Sequence, residues 1–114
     1  MKWFSQLPPK LQKSAYVYGD EAAWSQEDAL ETIEALSALG AAVLGVEVWL
    51  KTDGAPRIPS PYTYQWDAQE QKTGDSTPSA AVANAAAIDY VRNFQWDSHD
   101  VDVQDQHPYF NLTV

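Results

Sequence analysis

Apolar residues recur with two different periods along this chain, and the change from one to the other marks its central unit. Leu30, Ile33, Leu36 and Leu39 return at three-residue spacing with Ala29, Ala35 and Ala38 beside them, while Glu27, Glu31 and Glu34 fill the opposite side. An apolar stripe backed by an acidic side predicts an amphipathic helix. Ser25 stands at the N-cap position, with Asp28 three residues on as the return half of a capping box. Gly40 follows the last turn, where a left-handed conformation costs glycine least. From Ala41 to Leu50 the period becomes two, which predicts a strand. Leu44, Val46, Val48 and Leu50 fall on one side of it, and Val43, Gly45, Glu47 and Trp49 on the other. The uniformly apolar side is expected to receive the helix.

The flanking segments are read in the same way. Trp3, Phe4, Leu7 and Leu11 form a short apolar face broken by Pro8-Pro9, which predicts an N-terminal arm over residues 1–14 with a short turn after Pro9. Its aromatics are expected to cover a core edge. Ala15-Tyr16-Val17-Tyr18 is a short β run ended by Gly19-Asp20. Glu21 to Trp24 reads as the lead into the helix, with Trp24 stapled against Ala29 or Leu30. After the turn signal Thr52-Asp53-Gly54, three prolines (Pro56, Pro59, Pro61) mark an extended edge or loop. Tyr62, Tyr64 and Trp66 alternate with Thr63 and Gln65, placing an aromatic row on one face for packing or recognition. Thr77 and Pro78 are expected to open a second helix with Ala81, Ile88, Val91 and Phe94 on its apolar side. Pro108 to Val114 reads as a last strand, with Phe110, Leu112 and Val114 sharing a face. The sum is a single domain over residues 1–114 of the α+β class: a small, mainly antiparallel sheet with two principal helices packed on one face.

Composition narrows the chemistry. The chain of 114 residues has no cysteine, which excludes a disulfide framework and a thiolate metal site. No segment approaches the roughly 18 apolar residues of a membrane span, and Met1-Lys2-Trp3-Phe4 lacks the apolar run of a signal peptide. The expected location is the cytoplasm. Net charge is −9, from 7 basic and 16 acidic residues. Between Ser14 and Leu50 there is no Lys or Arg, while Asp20, Glu21, Glu27, Asp28, Glu31, Glu34 and Glu47 all fall there. Such a field repels nucleic acid and attracts basic partners, although an acidic surface also serves solubility alone.

Catalytic and metal signatures are sparse. The acidic segment 97–107 offers two imidazoles and four carboxylates, but its spacing matches neither an EF-hand loop nor a zinc site, and it reads as a solvated acidic loop. No nucleophile elbow and no glycine-rich phosphate loop is present, so no catalytic residue, metal or cofactor is assigned. Glu47, a carboxylate inside an apolar strand, belongs either at a half-open sheet face or beside a cation, for which Arg57 is the candidate.

The run Glu27-Asp28-Ala29-Leu30, then Ile33 and Leu36, then Val43-Leu44-Gly45-Val46-Glu47-Val48-Trp49, resembles the immunity protein 40 family of bacterial polymorphic toxin systems. Trp66 and Ala87-Ile88-Asp89-Tyr90-Val91 sit where that family carries a tryptophan-containing stretch and a helix with a Tyr-Ile type end. The likeness covers roughly residues 24–94 and is patchy after Leu50. Val46 stands where a second glycine is usual, Glu47 where an aspartate is, and Trp49 where a tyrosine is. The resemblance implies a non-enzymatic immunity protein that neutralises a cognate toxin, one that the acidic charge predicts to be basic. Glu47, Trp49, Asp53, Tyr62, Tyr64 and Trp66 are then the expected partner-facing residues. Two other readings stay open: a small hydrolase using paired carboxylates, and a structural module that dimerises through the 62–66 edge.

Overall fold

In the computed structural model, residues 2–50, 58–66, 79–96, 98–99 and 107–114 are described. After a 3-10 turn at Phe4–Gln6, the chain runs through α1 (Pro9–Ser14), β1 (Tyr16–Tyr18), β2 (Glu21–Ser25), α2 (Gln26–Ala38), β3 (Gly45–Leu50), β4 (Ile58–Gln65), α3 (Ala80–Arg92) and β5 (Pro108–Thr113). The five strands form one sheet in the order β1-β2-β5-β3-β4, antiparallel at every pairing. The architecture is α+β, as the periodicity predicts, with α2 and α3 on one face of the sheet.

The predicted helix-to-strand unit forms with an ordered joint. Gly40 adopts φ 75°, its N–H donates to the Ser37 carbonyl at 3.0 Å, and the Ala41 N–H donates to the Leu36 carbonyl at 2.9 Å. These two bonds are the Schellman closure of a helix end. The strand then begins at Gly45 and not at Ala41, because residues 41–43 are engaged elsewhere. Asn84 of α3 accepts from the Val43 N–H at 2.7 Å and donates to the Ala41 carbonyl at 2.9 Å and to Ser37 Oγ at 2.7 Å. Val43 consequently enters the core, away from the face it was expected to share with Glu47.

The core lies between the helices and the sheet. Ile33 and Leu36 of α2, Val91 of α3, Val46 and Val48 of β3, and Phe110 and Leu112 of β5 meet there. Burying each such aliphatic or aromatic side chain contributes about 1.5–3 kcal/mol. The stripe of α3 is Ala83, Asn84, Ala87 and Val91, with Ala81 exposed; small residues let α3 approach α2 closely.

Two local readings are corrected. Residues 21–25 are not a lead-in but the strand β2, which lies between β1 and β5 with Ala22, Ala23 and Trp24 fully buried. Trp24 therefore packs on the N-terminal arm, its ring 6.2 Å from Trp3 and 6.1 Å from Phe4, and its indole N–H donates to the Leu11 carbonyl at 2.8 Å. Ser25 occupies the N-cap of α2 but makes no side-chain cap bond, so the expected capping box is not formed. The cap of α3 is Ser79, whose Oγ accepts from the Val82 N–H at 3.3 Å. Thr77 and Pro78, expected to open that helix, lie outside the described residues, as do the 52–54 turn and most of the acidic segment 97–107.

Candidate functional site: a trough on the helix-free sheet face

Strand alternation sends Val46, Val48, Phe110 and Leu112 toward the helices and their neighbours to the other face. On that second face the register aligns Ala23, Asn111, Glu47 and Thr63 in one row across β2, β5, β3 and β4. Thr113, Gly45 and Gln65 make the next row. No helix among the described residues covers these rows.

Gly45, Glu47, Thr63, Gln65, Asn111 and Thr113 of these rows, together with Glu21 and Trp66, line a trough of about 360 Å³. Gly45 keeps it open. A Cβ at that position would sit 3.3 Å from the Tyr64 carbonyl oxygen and 3.4 Å from Thr113 Cβ, so a larger residue would crowd the floor. The lining is rich in oxygen acceptors and, among the described residues, contains no Lys or Arg. Asn111 is only 8% exposed; its Nδ2 donates to the Ala22 carbonyl at 2.8 Å. No described residue hydrogen-bonds its Oδ1, which stays in contact with solvent.

Aromatics stand two residues beyond the Glu47–Asn111 row. Trp49 lies on the same face as Glu47 yet is fully buried, edge-on to Tyr16 at 6.1 Å, and Tyr16 in turn lies 6.1 Å from Tyr109. The Trp49 indole N–H donates to Glu47 Oε1 at 2.7 Å, which fixes where the carboxylate stands. A register shift between Glu47 and Trp49 sets Val48 alone against residues 60–62 of β4, an irregularity of the bulge type in the edge pairing. Prolines at 59 and 61 are tolerated because β4 is an edge.

The six expected partner-facing residues thus separate. Glu47 and Trp66 line the trough, and Trp49 is buried beside it. The rings of Tyr62 and Tyr64 turn to the helix side. Tyr62 packs edge-on to Phe94 at 5.4 Å and Trp96 at 5.2 Å, and Tyr64 stacks on Tyr90 at 5.4 Å. The rings of Tyr62 and Tyr64 therefore pack, and of the row Trp66 joins Glu47 in lining the trough. Asp53 and Arg57 lie outside the described residues.

Sequence reasoning did not single out Glu21, Thr63, Gln65, Asn111 or Thr113. Asn111 carried a signal, standing between Phe110 and Leu112 of an alternating strand. The rest became a site only through strand pairing.

On α2, Glu27 and Glu34 are exposed and Glu31 pairs with Lys10 at 2.9 Å. That hydrogen bond, then the Glu31 charge, raises the Lys10 ammonium above its ordinary value. Among the described residues no three His, Asp or Glu side chains gather to hold a metal ion, and no helix is long and apolar enough to cross a membrane. Comparison of the chain with family models, curated proteins and solved structures found no match.

Proposed function

We propose that this chain is an immunity protein that binds a basic toxin domain and neutralises it inside the producing cell. The observation that carries the reading is the helix-free sheet face, where Glu21 and Glu47 line one acceptor-rich trough. Both principal helices pack on one side of the five-stranded sheet, and no helix among the described residues covers the other. The net charge of −9 supplies the long-range attraction, and the exposed acids of α2 add to the association rate. The sequence resemblance to immunity proteins runs through the segment that builds α2 and β3.

The test is co-expression with the toxin domain encoded beside the gene. The chain is expected to restore growth, and Glu21→Lys with Glu47→Gln, which keeps an oxygen for the Trp49 indole N–H, to abolish rescue while the variant stays folded. Rescue that survives both changes removes the trough from the interface; absence of rescue by the unaltered chain ends the immunity reading.

A hydrolase remains the second reading, since two carboxylates lining one hollow are its minimum equipment. It predicts turnover that Glu21→Gln or Glu47→Gln abolishes, which a binding protein would not show. A homodimer joined at the 62–66 edge would have to use Thr63 and Gln65, because Tyr62 and Tyr64 pack beneath α3.

A further inference from the structure

We infer that the proline-free half of the β4 edge takes an extended segment of a basic protein partner, added antiparallel beside Thr63, Tyr64 and Gln65. That the partner is a toxin rests on the immunity reading; the chemistry of the edge does not. β4 ends the sheet, and among the described residues no strand pairs on its outer side. One bond fixes which way its backbone groups point. The Trp66 N–H donates to the Leu44 carbonyl at 2.8 Å, on the β3 side. Alternation then turns Tyr64 to β3 as well and sends the N–H and C=O of Thr63 and Gln65 outward. Earlier in the strand, Pro59 and Pro61 have no N–H to offer and blunt that half of the edge. The outward donors are thereby gathered at Thr63 and Gln65, both of them exposed residues.

Side-chain alternation defines the incoming segment. Its residues opposite Thr63 and Gln65 stand on the trough side of the sheet. The one between them, opposite Tyr64, lies on the side where Tyr64 stacks on Tyr90 and Tyr62 packs on Phe94. The segment is thus polar, apolar, polar, with a β-branched residue at its centre to meet the tyrosine. Its charge follows from the −9 of the chain. A cationic segment is attracted, whereas a second copy would set −9 against −9. Main-chain hydrogen bonds supply affinity in such strand addition, and the alternate side chains supply specificity.

The experiment is a titration of the full isotope-labelled chain with the peptide acetyl-Thr-Lys-Val-Lys-Thr-amide, read by amide shifts and hydrogen exchange. Two methylated peptides of the same charge are the comparison. One carries methyl groups on both lysine backbone nitrogens, which blocks the pairing edge; the other carries one on the valine nitrogen, which leaves that edge intact. Saturable shifts are expected at residues 63–65, with exchange at Thr63 and Gln65 slowed at least about tenfold at saturation. Methylation at the lysines should weaken binding at least about tenfold, and methylation at the valine less than about threefold. Gln65→Pro extends the proline guard without removing a ladder bond and should abolish the protection at Thr63. Should that variant unfold, the peptide series decides alone. Scattered shifts, unchanged exchange at Thr63 and Gln65, or equal affinity of the two methylated peptides overturns the inference. Protection at those amides that rises with chain concentration without peptide, together with a doubled mass in sedimentation, also overturns it and gives the edge to a second copy. Co-expression separates the inference from the immunity reading. Rescue by the folded Gln65→Pro chain, with peptide binding lost, keeps the immunity protein and removes the edge from its interface. Localised peptide binding without rescue by the unaltered chain keeps the edge and removes the immunity protein.

Discussion

The Trp49 indole N–H and the Glu47 carboxylate, two residues apart on one strand and on one face, are joined by a hydrogen bond of 2.7 Å. The bond reconciles a fully buried tryptophan with a half-buried acid: the indole donor is satisfied and the carboxylate is oriented. Trp49→Phe removes the donor and leaves unfilled space. Losing a hydrogen bond to a charged group costs about 1.5–3 kcal/mol, so with the lost packing a destabilisation of about 2–4 kcal/mol is expected. Glu47→Gln keeps an acceptor and should cost less than about 1 kcal/mol. Urea midpoints of the two variants decide it, and equal losses would contradict the assignment.

Asn84 predicts a larger effect than its neighbours. It is buried on α3 and joins Ser37, Ala41 and Val43 through three hydrogen bonds. Asn84→Leu strands the Val43 N–H and the Ala41 carbonyl in the interior, for an expected cost of about 2–4 kcal/mol. Ser37→Ala, at an exposed position, should cost under about 1 kcal/mol by the same measurement.

The two helix caps should respond differently. Ser79 accepts a hydrogen bond from Val82 N–H, whereas Ser25 makes no side-chain cap bond. Ser79→Ala is expected to lose about 0.5–1 kcal/mol and Ser25→Ala less than about 0.5 kcal/mol in thermal unfolding. The opposite order would show that the Ser25 cap forms in solution.

Tyr90 gives the pH signature. Burial, and then its electrostatic interaction with Tyr62, raises its phenol above the ordinary value of 10.0. The folded chain therefore holds the proton more tightly than the unfolded chain does. The contribution is fully present below the unfolded value and is lost as pH climbs through the folded one. Stability of the unaltered chain should fall at alkaline pH more steeply than that of Tyr90→Phe. Ultraviolet phenolate titration should assign the difference between the two proteins to one late-titrating group.

The elements that the sequence announced are those with a strong local period. The α2 stripe, the glycine stop at 40 and the alternation of Val46 and Val48 needed no tertiary information. β2 was hidden because Glu21 and two alanines are poor strand formers and Trp24 alone favours the strand; burial between β1 and β5 imposes the conformation. The aromatic row at 62–66 alternated as a strand should, but alternation does not say which face meets the helices. Tyr90 and Phe94, distant in sequence, settle that. The trough was the least legible feature. Glu21, Glu47 and Asn111 belong to three strands, and only the insertion of β5 between β2 and β3 brings them onto one surface.

That insertion has a bearing on biosynthesis. β5 follows the other four described strands in sequence yet lies at the centre of the sheet, and β2 and β3 are joined only through it. On a ribosome adding about 5–20 residues per second, the residues of β1, β2, β3 and β4 are made before those of β5. The acceptor surface of Glu21, Glu47 and Asn111 therefore cannot be complete until residues 108–113 have been made and take their place between β2 and β3.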